Sequence, residues 1–207
     1  MTSAQPATKF RPRPGQAITR KHVLSTVYDL ISKHGIENLS MRQVAQAAGL
    51  STGTISYHFG NKERLLIAAL EDAYELPSDW EDYRGSPAAQ LRRLVMGYVC
   101  RPGGDRFWRF WINYLAASMR DPEMLAHQQQ RYVRQGRFWA QLIRDGIAAG
   151  EFGGQHDPER MADELVVLSH GLLVQQLIDP GRKARDNART ALSEFLGRLA
   201  IKLASGR

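Results

Sequence analysis

A chain of 207 residues with 43% apolar and 24% charged residues has room for one or two domains and the composition of folded chains, which excludes wholesale disorder. Its longest mostly apolar run, Leu165–Ile178, is interrupted by Ser169, His170, Gln175 and Gln176 and falls short of the ~20 residues of a membrane span, while a single cysteine, Cys100, excludes a disulfide framework and any zinc site built on paired cysteines. The formal net charge of +7 sits almost wholly in residues 1–64, which hold nine basic and three acidic residues against 19 and 18 in the remainder, and a clustered excess of that kind is the footprint of a module that binds a polyanion, most often nucleic acid.

Residues 1–17 carry Pro6, Pro12, Pro14 and Gly15 and read as a flexible basic arm bearing Lys9, Arg11 and Arg13. The arm has no apolar core of the signal-peptide kind, so a cytoplasmic protein is expected. The arm's arginines stand between prolines, an extended context suited to lying along a narrow minor groove; a plain disordered tail is the competing reading. From Thr19 onward the periodicity is helical throughout. The spacing predicts a first helix from a Thr19 cap to Gly35, with Val23, Val27, Leu30 and Ile31 on one face. Ser40 and Gln43 have the spacing of a capping box and open a short helix that Gly49 ends. Ser51 caps a third helix, Thr52–Phe59, which Gly60 stops, and Asn61 caps a fourth that carries Leu65, Leu66, Ala69 and Leu70. Short helices joined by glycine-marked turns make residues 18–64 a helix-turn-helix domain.

Beyond Leu76-Pro77 five more helices are expected, near Pro87–Arg101, Asp105–Arg120, Pro122–Ala149, Pro158–Ile178 and Ala184–Ala204. The fold class is therefore all-α with about nine helices, residues 65–207 forming a helical second domain.

In a helix-turn-helix the second helix of the pair enters the major groove. At about 100° per residue, Ile55 and Phe59 turn inward and the opposite face centres on Gly53 and Tyr57, flanked by Thr54 and Ser56. Glycine costs about 1 kcal/mol against alanine inside a helix; it either admits DNA to the backbone or is a tolerated defect. Tyr57 either faces DNA or is half-buried. Arg42 and Lys62, near the starts of the second and fourth helices, are placed to reach phosphates; a plain solvated lysine is the other reading of Lys62.

Leu39-Ser40-Met41-Arg42, Val44-Ala45, Ala48-Gly49-Leu50-Ser51, Gly53-Thr54-Ile55, His58-Phe59, Asn61-Lys62 and Leu65-Leu66 resemble, in order and spacing, the DNA-binding signature of TetR-type transcriptional regulators. The resemblance implies a homodimer on a palindromic double-stranded operator, with a C-terminal domain whose occupancy by a small-molecule effector releases DNA. Carried over by position, the DNA contacts are Arg42, Thr52, Thr54, Ser56, Tyr57, His58 and Lys62. Many members have tyrosine where this chain has Ser56, so the tyrosine–backbone contact shifts to Tyr57. Asp121-Pro122-Glu123, Gly150-Glu151-Phe152 and Gly171-Leu172-Leu173 with Gln175 and Leu177 more loosely resemble the BetI-like branch, the regulators of choline–betaine genes; His170 stands where that branch often has an acidic residue.

Phe107, Trp108, Phe110 and Trp111, with Tyr114 one turn on and Tyr132, Phe138 and Trp139 beyond, put aromatics on several helix faces. They either pack as core or cage an organic cation such as a choline-like effector. The candidate effector residues are Trp108, Trp111, Tyr114, Trp139 and His170. The last two helices have broad apolar faces, and Leu172, Leu192, Phe195, Leu196 and Leu199 are expected at a twofold interface, with monomeric core packing as the alternative. The sequence carries no Gly-rich phosphate loop, HExxH or GxSxG, so no catalytic residue, metal or cofactor is expected. A sequence-indifferent, nucleoid-type DNA binder would share the basic arm, but it has no need of a long, nearly neutral second domain.

Overall fold

The structure is a computed structural model and describes residues 14–73, 84–100 and 105–200, with the side chains of 14–19 and 105 left aside. The described residues form nine α-helices and no strand: α1 (Pro14–His34), α2 (Met41–Ala48), α3 (Thr52–Phe59), α4 (Lys62–Ala73), α5 (Pro87–Val99), α6 (Asp105–Ser118), α7 (Pro122–Ala148), α8 (Pro158–Ile178) and α9 (Arg182–Ala200). They fall into two compact units, residues 1–73 and 74–207. The division comes after Ala73 rather than at residue 64, because α4 belongs to the first unit. It packs on α1, burying Leu65, Leu66, Ala69 and Leu70, and the Tyr28 hydroxyl stands 2.6 Å from the Ala69 carbonyl and 2.8 Å from Asp72 Oδ2.

In the first unit, Val23, Leu24, Val27 and Ile31 of α1 meet Val44 and Ala45 of α2 and Ile55 and Phe59 of α3 in one core. Helix α1 starts at Pro14, five residues before the expected Thr19 cap. A proline at the first helical position has no N–H to lose and a φ already set for the helix, so the residue read as a breaker is a starter. Arg11 and Arg13 lie outside the described residues. The capping box at Ser40 is present, Ser40 N donating to Gln43 Oε1 at 2.9 Å and Ser40 Oγ accepting from Gln43 N at 3.3 Å. Gly49 ends α2 at φ 67°, a left-handed conformation that costs a Cβ-bearing residue about 1 kcal/mol or more, and the following N–H of Leu50 returns to the Ala45 carbonyl.

In the second unit α8 packs along α7 and also meets α5, α6 and α9. Pro87, Pro122 and Pro158 stand at the first turns of α5, α7 and α8 behind the caps Ser86, Asp121 and Asp157. The α7–α8 loop is pinned on two sides: Glu151 Oε2 accepts from Ala88 N at 2.8 Å, and Gly153 N donates to the Leu199 carbonyl at 2.9 Å. The Phe152 ring lies on Gly146 so closely that a Cβ there would sit 2.3 Å from it, so α7 has glycine where the loop folds back.

Leu172, Leu192, Phe195, Leu196 and Leu199, expected at a twofold interface, lie inside this unit's own core, none more than 8% exposed in the single chain. An apolar helix face looks the same in sequence whether it meets its own chain or a copy, and here α9 turns it inward. The most exposed large apolar residues of this unit are on α8, Val167 at 73% and Ile178 at 79%, ahead of Met119 at 62% and Val133 of α7 at 50%.

Candidate nucleic-acid interface and effector site

Helix α3 is fastened to the first unit by Ile55 and Phe59, both buried, with the Arg20 guanidinium 5.1 Å over the Phe59 ring. Ser51 Oγ accepts from Thr54 N at 3.0 Å and lies 2.9 Å from Thr54 Oγ1, which fixes the helix start. The opposite face is bare: Thr52, Gly53 and Ser56 are exposed, and Tyr57 stands out at 82% exposure, so its half-buried reading falls away. His58 is partly buried, edge-on to Tyr57 at 5.3 Å and to Phe59 at 6.4 Å. Arg42 is exposed in the first turn of α2, and Lys62 opens α4. Neither α2 nor α3 has an acidic residue in its first turn, so both N-termini keep the positive end of the helix dipole.

A Cβ built on Gly53 would meet only Ser51 Oγ, at an ordinary 3.6 Å. Nothing inside the protein demands glycine there. Gly53→Ala is therefore expected to raise the melting temperature, through up to about 1 kcal/mol of helix propensity, and to weaken operator binding about tenfold. A higher melting temperature with unchanged affinity in anisotropy titrations would take Gly53 out of the interface.

In the second unit four of the five candidate effector residues come together, and two that sequence reasoning left out join them. His170 on α8 stacks on Trp111 of α6 at 4.9 Å and 17°, and lies 5.1 Å from the Tyr132 ring of α7. Tyr98 of α5 is edge-on to Trp108 at 4.6 Å, to Trp139 at 6.0 Å and to His170 at 6.2 Å. Tyr114 packs instead on Phe110 and donates to the Met124 carbonyl at 3.3 Å. The missing partners come from different helices: Tyr132 is in view in the sequence as one of the aromatics of α7 with Phe138 and Trp139, whereas Tyr98 is a lone aromatic on α5 among aliphatic and polar residues.

Burial first, and then the charge of Arg131, lower the His170 pKa to about 4, against a smaller opposing effect of the Val166 carbonyl. At neutral pH the ring is therefore uncharged. Its Nε2 lies 3.2 Å from the Tyr98 hydroxyl oxygen, within hydrogen-bond distance. A histidine whose pKa is depressed on folding contributes full stability above its unfolded value near 6.5 and loses it as pH falls toward 4. Urea unfolding at pH 4 should thus find the protein about 3 kcal/mol less favoured relative to pH 7 than a His170→Gln variant. Parallel pH profiles for the two proteins would show that His170 is not held neutral.

A profile of the BetI-type transcriptional repressor C-terminal domain matches residues 87–200, and one of the bacterial regulatory proteins of the tetR family matches residues 23–69. The BetI regulator of Stenotrophomonas maltophilia is 30% identical over 125 residues, covering 57% of this chain and 64% of that relative, less than two thirds of its length. The UidR regulator of Escherichia coli K12 is 24% identical over 158 residues, 75% of this chain and 80% of its own. A solved protein of Saccharomonospora viridis, described as a transcriptional regulator in complex with choline, superposes with a TM-score of 0.74 at 27% identity, over 88% of this chain and 97% of that one. With the BetI-type profile spanning more than half of its length, behind a tetR-type helix-turn-helix, the chain belongs to the TetR family of transcriptional regulators.

Proposed function

We propose that the protein is a ligand-responsive repressor that binds a palindromic operator as a homodimer and leaves it when a small-molecule effector enters the second unit. The observation that carries this reading is the bare outer face of α3, where Gly53 opens the backbone and Tyr57 projects almost fully into solvent beside exposed Thr52 and Ser56. Such a face has no task within the fold and suits base edges in a major groove. Arg42, His58 and Lys62 hold the flanking phosphates, and Arg11 and Arg13 follow the minor groove. A twofold DNA site asks for a twofold protein. Val167, Gly171, Val174 and Ile178, at spacings of four, three and four along α8, supply one continuous outer face for the partner. A helix with apolar residues on both its inner and its outer side is one that is covered on both.

The effector site is the aromatic cluster of Trp108, Trp111, Trp139 and His170, with Tyr98 and Tyr132. Its rings close on one another, so an effector enters by displacing one of them, and the His170 ring, buried only in part, is the one on a helix that also carries the outer apolar face. Ligand entry and the subunit face thus bear on the same rigid element, the kind of bistable part through which occupancy is felt at a distance.

The reading is tested by anisotropy titration of the full chain against the DNA flanking its own gene and against a scrambled duplex of equal length. A regulator prefers the first by about 10³ or more. Equal, weak, salt-sensitive binding to both would replace it with a sequence-indifferent DNA binder. In the same assay Lys62→Ala should weaken binding to both duplexes and flatten the salt slope by about one unit; an unchanged slope removes Lys62 from the phosphate contacts.

A further inference from the structure

We infer that Arg20 and Arg64 hold backbone phosphates of the DNA beside the C-terminal end of α3, in addition to Arg42, His58 and Lys62. The inference rests on α3 being the helix that enters the major groove, and it carries that interface around the corner at Phe59 and Gly60. Arg20, in the N-terminal half of α1, is exposed and holds its guanidinium 5.1 Å over the ring of Phe59, the last residue of α3. Arg64, exposed in the first turn of α4, lies across the next residue. A Cβ built on Gly60 would stand 3.5 Å from Arg64 Cδ and 3.8 Å from its Nη1. Two different helices thus bring one guanidinium each to consecutive residues where α3 ends.

Neither charge is neutralised within the unit. Among the described residues, neither guanidinium has an ion pair or a hydrogen bond, and Glu63, the acidic residue in the first turn of α4, pairs with neither. An aromatic ring attracts and steadies a guanidinium but leaves it its charge and the N–H fork that fits a phosphate. Covering Phe59 asks only for methylene groups, so the charge of Arg20 is surplus to that packing task. The surroundings favour the same ligand. Ser56, Tyr57 and Gly60 are exposed around the last turn of α3, and no residue from Ser51 to Lys62 is acidic. Helix α3 has eight residues, about 12 Å of length, and a major groove is about 12 Å wide with a phosphate backbone along each edge. An end of a helix seated in that groove comes to one of those edges, and at this end the protein has placed two unneutralised arginines.

Anisotropy titrations of the full chain over a range of salt, on the DNA flanking its own gene and on a scrambled duplex, judge each arginine by itself. Arg20→Met keeps an apolar stem on Phe59 and removes the charge; Arg64→Gln keeps a polar chain across Gly60. Each should flatten the slope of log affinity against log salt by about one unit on both duplexes, and the double variant by about two. Binding at fixed salt should weaken about 3- to 10-fold per variant, with a melting curve like that of the wild type. Arg20→Lys, which returns a charge without the flat fork, should recover most of the slope. An unchanged slope in either single variant, while Lys62→Ala still lowers it, would remove that arginine from the backbone and leave α3 as the reading helix. Weaker binding with a lowered melting temperature and an unchanged slope would likewise overturn the assignment, reducing the side chain to a support of α3. A wild-type chain that binds neither duplex would overturn the phosphate contacts and the DNA-binding reading together.

Discussion

A chain carrying both Val167→Glu and Ile178→Glu is expected to sediment as a monomer and to bind its operator about 10²-fold or more weakly, with its second unit still folded. The two positions are 73% and 79% exposed in the single chain, so a charge there meets water rather than core and costs the fold within about 0.5 kcal/mol. In a twofold interface the same side chains face their copies, and two or four carboxylates brought together without partners oppose association strongly. Affinity falls because a dimer delivers its second recognition helix at an effective concentration in the millimolar range, which a monomer forfeits. Leu192→Glu is the contrasting control. Leu192 is wholly buried within the unit, so a carboxylate there is desolvated without a partner, and the helical signal of the unit itself should be lost at physiological temperature. A double variant that remains a dimer in sedimentation would move the interface off the outer face of α8. A Leu192→Glu chain that folds as a monomer would restore α9 to it.

That contrast marks where the sequence is legible and where it is not. Caps and breaks are local, and the chain spells them out: Ser40 with Gln43, Ser51 with Thr54, Asn61 with Arg64, and a proline in the first turn of α5, α7 and α8. Helix α8 runs from Pro158 to Ile178 as its periodicity predicts, whereas α5 and α6 end two residues early and α9 begins two residues early, within the usual fraying of helix ends. The start of α1 is misread for a specific reason, because a proline signals opposite things at the first position of a helix and in its interior. What periodicity cannot carry is partnership. The inner faces of α8 and α9 are evident in the sequence, but whether they meet each other or a copy depends on packing between residues far apart in the chain. The same holds for the effector cluster. Trp108 and Trp111 announce themselves as a pair one turn apart, but Tyr98 and Tyr132 become members only once α5, α6, α7 and α8 are laid together.

The recognition helix allows the sharpest separation of fold from function, since two aromatics only two residues apart have opposite tasks. Phe59→Ala removes a ring that is 5% exposed, anchors α3 to the first unit and carries the Arg20 guanidinium. Truncations of that kind cost about 3–5 kcal/mol, comparable to the whole stability of a small helical unit, so circular dichroism should report loss of the first unit's helices and DNA binding should vanish with them. Tyr57→Ala changes a side chain that is 82% exposed and should leave the melting curve within the scatter of surface substitutions. Its operator affinity should nevertheless fall by about 10- to 100-fold, the value of one or two good contacts in a groove. Tyr57→Phe then assigns the contact. If it binds as the wild type does, the ring is what the operator meets, as against a thymine methyl; if it matches the alanine variant, the hydroxyl bonds a phosphate or base edge. Ser56→Ala completes the series, because Ser56 occupies the position at which many family members place a tyrosine. With the aromatic one residue further along the helix, the groove contact is offset by about 100° around the axis, and Ser56→Ala should cost less than a factor of about three. A larger loss at Ser56 than at Tyr57 would return the contact to the family's usual position and leave the exposed ring of Tyr57 without a role in reading DNA.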